Sequence, residues 1–325
     1  MAGLITIPLA FAALPRFNQK QCMKVLEIFS YFNIAYGILF LISASINYFK
    51  TKTLSAFTYH DLVSIFDLNA IYVSVFFLIS FVYFLTKKQH SIFSICASVF
   101  LFFMLVLLAS KMVMFILILV LLFKAFQMLK TNNTITGLVI GIAIVILLAL
   151  VFTIKPLKQR YIDETKTNIT EILNADTFGQ AYVWTGTSIR LLQLRILTDQ
   201  IKEEAIIFKG FGLFASRENL RDRHIGYKTY YGFHKYNYHN QYAQVIAELG
   251  VVGLLILALV LSFNLQNAIR SKDVLFLFFA VYIILIFLTE SMLWRQRGLF
   301  FFLILYCLFN RTVFNHQQED SQHKI

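Results

Sequence analysis

The sequence is poor in charged residues and in cysteine, and each shortage excludes a class of protein. Asp, Glu, Lys and Arg make up 14% of the 325 residues, whereas soluble domains carry about 25%. A soluble protein with a large core does not fit, because many apolar runs reach the roughly 20 residues that cross a bilayer as a helix. Cys22, Cys96 and Cys307 form no C-x-x-C pair. Their spacing indicates neither a disulfide framework nor a metal site.

Ionisable residues are also scarce in the middle of the apolar runs. A charge inside a bilayer is costly and usually functional. Ion-coupled transporters place carboxylates or histidines in mid-span, often in helices broken by Gly or Pro. The sequence shows neither feature, so we expect unbroken spans and chemistry at one membrane face.

What the sequence does contain is a series of apolar segments separated by polar connections. The candidate spans are residues 25–48, 69–86, 91–109, 112–130, 135–154, 244–266, 274–290 and 298–314. A ninth piece, 4–14, is too short to span and has no basic region before it. It is interpreted as the tail of a longer helix in a chain truncated at its N-terminus. The predicted fold class is all-α, a polytopic transmembrane helix bundle of about eight to nine spans with one long, partly helical outer loop.

Three regions follow from this division. Residues 1–154 hold the N-terminal transmembrane helices, 155–243 the long loop, and 244–325 the C-terminal transmembrane helices and a tail. The net charge of +12 would suggest nucleic acid in a soluble protein. In a membrane protein it more often reflects Lys and Arg in cytoplasmic loops.

Sidedness follows from the basic residues in the short connections. If every candidate span crosses the membrane, the basic groups near 16–24, 87–88, 124–130 and 270–272 share one side, which we expect to be cytoplasmic. The tail at 315–325 joins them. Lys111 and the connections 49–68, 155–243 and 289–298 then lie on the outer, periplasmic face.

The long outer loop is where function is expected, because connections beyond about 15 residues are usually functional. Residues 188–206 have the periodicity of an amphipathic helix that carries Arg190. The simplest interpretation is a helix lying on the membrane with Arg195 and Lys202 toward lipid headgroups. Gly210 and Gly212 then predict a helix stop and a tight turn where backbone could approach a ligand.

The end of the loop interleaves cations with aromatic rings. The cations are Arg217, Arg221, Arg223, His224, Lys228, His234, Lys235 and His239, and the rings are Tyr227, Tyr230, Tyr231, Phe233, Tyr236 and Tyr238. Such a mixture binds single-stranded nucleic acid or carbohydrate. On the outer face of a membrane we expect carbohydrate and no nucleic acid. The arginines also suit a diphosphate, which they bind in a bidentate manner.

The order of these features carries a family resemblance. An outer hairpin cation, an Arg-bearing loop helix and G-x-G are followed by HNQYAQVIAELGVVGLL (239–255) and LTESMLWRQRGLFFFLILYCLF (288–309). Together they resemble the O-antigen ligase and polymerase family of bacterial inner-membrane glycosyltransferases, in the version found in Bacteroidetes-type bacteria. The string H-N-x-Y-x-x-x-x-x-E-x-G-x-x-G is the most specific part. The resemblance covers most of the chain, about residues 25 to 313.

The resemblance implies a GT-C-type fold and a metal-independent transfer without cofactors. The implied donor is a glycan on undecaprenyl diphosphate, and the acceptor is a hydroxyl of lipid A-core or of a growing glycan. His239 matches the position that activates the acceptor hydroxyl, and Arg190 matches one that holds the donor diphosphate. Ser110-Lys111 stands where the family often has Ser-Arg, and lysine keeps the charge but lacks the bidentate fork.

These roles are chemically coherent. Histidine suits proton removal from a hydroxyl at neutral pH. Fixed cations stabilise the charge that develops on a leaving diphosphate, and Arg217 and Arg221 are assigned to that diphosphate with Arg190 and Lys111. The membrane lipids are the remaining partners.

Other residues are secondary candidates with open interpretations. Asn240 and Tyr242 belong to the family string. Glu290, Arg295 and Arg297 are either substrate contacts or members of a structural ion pair. Glu248 is open between an arginine partner, a histidine-orienting group and an interhelical hydrogen bond. The remaining polar candidates are His234, a polar contact or a solvated loop histidine, and the pair His60 and Asp61, which could help form an acceptor site.

The leading functional hypothesis is an O-antigen ligase. The alternatives are the O-antigen polymerase of the same pathway, a protein O-oligosaccharyltransferase, a polysaccharide transporter without catalysis and a catalytically inactive membrane scaffold. A transporter would keep its function after His239→Ala. Ligase and polymerase share the donor and the membrane face, so the sequence does not separate them.

Overall fold

Every predicted apolar span that the structure describes forms a helix. The computed structural model describes residues 2–87, 91–130, 153–179 and 181–314, with isolated positions between 141 and 149. The predicted span at 135–154 falls almost entirely outside these residues, and the predicted cytoplasmic tail at 315–325 lies outside them completely.

The first half of the chain folds into α1 (Ala2–Ala13), α2 (Gln19–Thr51), α3 (Tyr59–Leu62), α4 (Ala70–Thr86), α5 (Ile92–Leu108) and α6 (Lys111–Lys130), with 3-10 turns at Leu54–Phe57 and Ser64–Phe66. Polar residues set the helix starts. Asn18 begins α2 in a capping box with Gln21, and Asn69 begins α4 by accepting from the Ile71 amide at 2.8 Å. Each side chain satisfies an amide that has no partner inside the helix.

The second half forms α7 (Lys155–Glu164), α8 (Ile169–Asn174), α9 (Gly186–Glu203), α10 (Ser216–Gly226), α11 (Gln241–Ser271), α12 (Val274–Phe287) and α13 (Gln296–Asn310), with 3-10 turns at Tyr231–Lys235 and Met292–Trp294. Two short strands, β1 (Phe17–Asn18) and β2 (Thr312–Val313), pair in parallel. The expectation of an all-α fold is confirmed for the described residues.

Three helices among the described residues are long and apolar enough to cross a membrane: α2, α6 over Lys111–Met128, and α11. The helices α4, α5, α12 and α13 are apolar but shorter. Each predicted span other than 135–154 therefore coincides with a helix. The number of spans and their sidedness stay predictions.

The chain divides into two compact units. One contains residues 16–161, 273–275 and 312–325, and is called here the α2–α6 unit; the other contains 1–15, 162–272 and 276–311, and is called the loop-bearing unit. In the α2–α6 unit, α4 packs against α2, α5 and α6. Asn33 donates to Ser80 at 2.8 Å, a polar link of the kind that joins helices in membranes.

In the loop-bearing unit, the long loop has a hydrophobic core of its own. The core consists of Ile172, Phe178, Leu192, Ile196, Leu197, Ile206, Leu220, Tyr238, Ala243 and Ala247. Arg195 donates to the Ile172 and Ala175 carbonyls at 2.9 and 2.8 Å. The expectation that Arg195 points to lipid headgroups is therefore wrong, because its guanidinium satisfies carbonyls within the protein. The assignment of Lys202 to headgroups stays a prediction.

The helix α11 is interrupted at Gly250, which adopts φ +64° and ψ −161°, so the expectation of unbroken helices is wrong. The break leaves backbone N–H and C=O groups of α11 without helical partners. The loop segment 207–212 provides hydrogen-bond partners for these groups. Phe211 N donates to Ala247 O at 2.8 Å, and Val251 N donates to Ile207 O at 2.6 Å. Broken helices persist in membranes where other protein groups satisfy the freed backbone.

Glycine is required at this crossing because two backbones touch. A Cβ on Gly250 would lie 2.3 Å from the Phe208 carbonyl carbon, and one on Gly210 would lie 2.3 Å from the Glu248 carbonyl carbon. Both glycines also have φ of +64°, which disfavours other residues. The sequence suggested that the backbone at Gly210 could approach a ligand. In the structure it approaches the backbone of Glu248 instead.

Candidate active site

His239 lies at the entrance of α11. Its φ of +45° is in the left-handed region, where a non-glycine residue is strained and often functional. The His239 amide donates to Asn237 Oδ1 at 3.0 Å. The next residue, Asn240, begins the helix by accepting from the Ala243 amide at 2.9 Å. The chain on both sides of His239 therefore holds its backbone in place.

The residues after His239 fasten the connection between α12 and α13. The Asn240 amide donates to Ser291 Oγ at 3.2 Å, and its side chain donates to Leu288 O at 3.0 Å. The Tyr242 hydroxyl donates to Ile284 O at 3.0 Å. Asn240 and Tyr242 thus make structural contacts that bring Glu290 beside His239.

Glu290 lies between Arg190 and His239. Its Oε1 accepts from Arg190 Nη2 at 2.8 Å, and its Oε2 lies 3.5 Å from His239 Nδ1. The second distance is that of an ion pair and exceeds the length of a good hydrogen bond. Glu290 is 4% exposed. Of the two interpretations of this residue, the structure shows the ion pair.

The Arg190 guanidinium donates three hydrogen bonds to other groups of the protein. Besides the bond to Glu290, Nε donates to Thr289 O at 3.1 Å and Nη1 donates to Gly186 O at 2.9 Å. The start of α9 is itself held by Glu164, whose two oxygens accept from the Gly186 and Thr187 amides at 3.0 and 3.1 Å. A carboxylate at a helix N-terminus is favoured by the helix dipole.

The charges around Glu290 keep it ionised. Burial acts to raise the pKa of this carboxyl, but His239 and Arg190 outweigh burial and hold the pKa below its usual range. The carboxylate consequently presents a negative charge to the Nδ1 edge of the imidazole. A proton on Nδ1 is thereby favoured, which leaves the lone pair on Nε2. Both ring nitrogens of His239 are buried and make no hydrogen bond with the described part of the chain.

A second cluster is centred on Trp294. The guanidinium carbons of Arg217 and Arg295 lie 6.0 and 5.4 Å from the centre of the Trp294 ring. Both arginines are exposed, and neither forms an ion pair with the described residues. Arg221 is exposed one turn after Arg217 on α10, and Arg297 is exposed near the start of α13. Arg217 and Arg295 thus form an exposed basic surface around Trp294, and Arg221 and Arg297 are further exposed cations on the elements that carry them.

Glu248 is the support beneath this surface. Its Oε1 accepts from Trp294 Nε1 at 2.9 Å, Gln244 Nε2 at 3.0 Å, Ser216 Oγ at 3.1 Å and the Phe214 amide at 3.3 Å. All four donors are neutral groups. The interhelical hydrogen bond is thus confirmed, and among the described residues neither an arginine nor a histidine pairs with this carboxylate.

Two further histidines lie close to His239. His234 is half-buried, and its Nε2 is buried without a partner in the described residues; whether it is a polar contact or a solvated loop histidine stays a prediction. His224 on α10 is fully buried, and its Nδ1 lies 3.2 Å from Thr229 Oγ1. Burial first, and then the charges of His234 and His239, lower the pKa of His224 to about 4.

Several predicted residues belong to the α2–α6 unit. Lys111 is the first residue of α6, and its role at the donor stays a prediction. His60 Nδ1 accepts from the Ala70 amide at 3.4 Å, so this ring has a contact at the start of α4. The acceptor role of His60 and Asp61 also stays a prediction. Among the described residues, no group of three or more His, Cys, Asp or Glu side chains could hold a metal ion.

The sequence did not single out Trp294, Ser291, Glu164 or Gly250. Gly250 stands inside the string H-N-x-Y-x-x-x-x-x-E-x-G-x-x-G, and Trp294 lies next to Arg295 in a short connection. Both positions could therefore have been singled out from the sequence. Ser291 and Glu164 act through backbone contacts with residues far along the chain, and no local pattern marks such contacts.

One comparison with known proteins gave a match. The family model described as O-antigen ligase matches residues 69–258, which is more than half of the chain. The match includes Arg190, His239 and Glu248 and ends before Glu290. A search of the curated proteins found no match.

Proposed function

The chain belongs to the O-antigen ligase family, and we propose that it transfers a glycan from undecaprenyl diphosphate to a hydroxyl of lipid A-core. The reaction takes place at the periplasmic face of the bacterial inner membrane, in lipopolysaccharide biosynthesis. The chain would act without a metal or another cofactor. The Arg190–Glu290–His239 arrangement is the observation that carries this proposal.

The proposed reaction is a single displacement at the anomeric carbon. His239 Nε2 takes the proton of the acceptor hydroxyl while its oxygen forms the new glycosidic bond. The bond from the anomeric carbon to the diphosphate oxygen breaks, and undecaprenyl diphosphate leaves with the electron pair. Glu290 stabilises the imidazolium that forms, because its negative charge faces Nδ1.

Arg190 acts in this proposal as a positioning residue. Three of its N–H groups donate to Glu290, Thr289 and Gly186, so most of the guanidinium fork is committed to the protein. Its side chain is 29% exposed. The role predicted for it at the donor diphosphate is therefore assigned to other cations.

The donor diphosphate is assigned to the exposed basic surface around Trp294. Arg217 and Arg295 are exposed and lie 6.0 and 5.4 Å from the Trp294 ring centre, so both guanidinium groups are open to a ligand. Guanidinium groups bind phosphate oxygens in a bidentate manner. Arg221 adds a third cation, and Lys111 stays a candidate from the α2–α6 unit.

The proposal is tested with purified protein, donor glycan on undecaprenyl diphosphate, and lipid A-core. The wild type is expected to release undecaprenyl diphosphate and to form glycan-capped lipid A-core. His239→Asn is the preferred variant, because asparagine tolerates the left-handed backbone that His239 adopts. It should lose about 100-fold or more in rate, the range of general-base catalysis. Full activity of His239→Asn would refute the mechanism.

A deletion strain separates the ligase from the polymerase. Loss of all glycan-capped lipopolysaccharide, with lipid-linked polymer accumulating, is the outcome for a ligase. Lipopolysaccharide capped by a single repeat unit would instead identify a polymerase. His316→Asn in the tail is the matched control for complementation, because it makes the same change at a histidine to which no role is assigned.

A further inference from the structure

An unbroken path of aromatic rings leads from the surface of the loop to His239. The ring centres of Tyr236 and His239 are 4.9 Å apart, and those of Phe233 and Tyr236 are 5.1 Å apart. Tyr230 follows at 5.5 Å from Phe233, and Tyr231 at 4.5 Å from Tyr230. We call Tyr230, Tyr231, Phe233 and Tyr236 the aromatic track.

Exposure increases along the track away from His239. Tyr231 is 68% exposed and Tyr230 is 39% exposed, whereas Phe233 and Tyr236 are half-buried. The other two tyrosines of the segment belong to the interior. Tyr238 is 1% exposed, and the Tyr227 hydroxyl donates to Asp199 at 3.1 Å. The rings of the segment thus separate into a core pair and a surface path.

The track is held in position by its own backbone. A Cβ on Gly232 would lie 2.5 Å from Tyr230 Cε1, so the Tyr230 ring lies directly over the glycine. Phe233 is supported from the other side by Trp184, with ring centres 5.5 Å apart at an interplanar angle of 84°. Rings ordered before binding lose little entropy when a ligand arrives.

We propose that the aromatic track binds an acceptor oligosaccharide and directs its terminal hydroxyl to His239. This inference rests on the proposed function, and it adds that the acceptor is recognised over several sugar rings. Sugar rings present apolar faces that lie on aromatic side chains, and their hydroxyls bond to a few polar groups nearby. The tyrosine hydroxyls of the track provide such groups. Because His239 is the base, the saccharide on the track is the acceptor and not the donor.

The experiment compares two acceptors for the wild type and a Tyr230→Ala/Tyr231→Ala variant in detergent. One acceptor is the soluble core oligosaccharide released from lipopolysaccharide, and the other is its terminal monosaccharide. The KM for the oligosaccharide should rise about tenfold or more, since each aromatic contact contributes a factor of about two to twelve. The rate with the monosaccharide should not change, because that acceptor reaches only the His239 end. Gly232→Ala should shift the oligosaccharide KM in the same direction by displacing the Tyr230 ring.

Phe208→Ala is the matched control, since Phe208 is 72% exposed and lies outside the track. An unchanged oligosaccharide KM in the double variant would overturn the inference. Equal losses with both acceptors would overturn it too, and so would a defect confined to binding lipid vesicles, which is the role of aromatic rings at a membrane interface.

Calorimetric binding of the core oligosaccharide separates this inference from the proposed function. Binding that depends on Tyr230 and Tyr231 without any glycan transfer would support the track and contradict the proposed function. Glycan transfer without binding that depends on Tyr230 and Tyr231 would support the proposed function and contradict the track.

Discussion

Arg190 donates from Nη2 to Oε1 of Glu290 at 2.8 Å, across 100 positions of sequence. The carboxylate is almost completely buried, and its second oxygen faces His239. A buried ion pair is costly to break, because the remaining charge stays without compensation. The pair therefore constrains both the base and the loop that carries Arg190.

Glu290→Gln is expected to reduce kcat by about 100-fold, a loss within the range of general-base catalysis. The amide preserves shape but removes the charge that stabilises imidazolium. The measurement is the steady-state rate of undecaprenyl diphosphate release across pH. Glu218→Gln, an exposed change on α10, is the matched control. A normal kcat and pH profile for Glu290→Gln would exclude the orienting role.

Arg190→Lys should also lower kcat, with little effect on the KM for the donor. Lysine keeps the positive charge but cannot bond in three directions from one plane. Arg217→Lys should instead raise the donor KM with a smaller effect on kcat. Steady-state kinetics at varied donor concentration distinguish the two. If Arg190→Lys instead raised the donor KM and Arg217→Lys lowered kcat, Arg190 would be assigned to the diphosphate site.

Glu248→Leu is expected to destabilise the protein by about 2–4 kcal/mol, because several buried donors lose their acceptor at once. Glu248→Gln should cost less, since its amide oxygen still accepts. Thermal unfolding in detergent provides the comparison. Equal stability of the two variants would show that the hydrogen bonds on Oε1 contribute little.

Gly250→Ala should destabilise the protein by more than about 3 kcal/mol, the range of severe backbone conflicts. Its Cβ would collide with the backbone of Phe208, and its φ is unfavourable for alanine. Gly226→Ala is the matched control, because a Cβ there meets nothing within 4 Å. The yield and unfolding temperature of the two variants in detergent measure the difference. A mild effect at Gly250 would mean that the two backbones separate easily.

His224 makes stability depend on pH. Burial lowers the pKa of His224 to about 4 in the folded protein from 6.5, so the unfolded chain binds its proton more readily. Above pH 6.5 neither state is protonated, and the contribution to stability is complete. It is lost as pH falls from 6.5 toward 4, by about 3 kcal/mol in all. Unfolding temperatures at pH 7 and 4.5 should differ less for His224→Gln than for the wild type. An identical decline would contradict this assignment.

Local patterns were sufficient for the apolar helices among the described residues, although they did not predict α3, α7, α8 or α10. Apolar runs of helix length predicted the positions of α2, α4, α5, α6, α11, α12 and α13. The thickness of the bilayer sets the length of such runs, and this length can be seen in the sequence. The same reasoning failed at Gly250. A glycine in an apolar run is compatible with a helix, and only the crossing segment at 207–212 makes the break favourable.

The candidate site divides in the same way. His239 was identified because the family string surrounds it, and Glu290 was named without a defined role. Arg190 was assigned to a diphosphate because it matches the loop-helix arginine to which the resembled family gives that role. The folded chain instead directs this guanidinium to Glu290, and that pairing depends on how α9 and the α12–α13 connection pack.

The sequence by itself determined an apolar helical membrane protein, its family and the histidine at the entrance of α11, because composition, periodicity and a contiguous motif are local properties. Only the tertiary structure decided which carboxylate faces His239, which arginines stay exposed around Trp294, and that Glu248 accepts hydrogen bonds from neutral donors. Those assignments depend on distances between residues far apart in sequence, and such distances are set when buried charges and freed backbone groups find their partners.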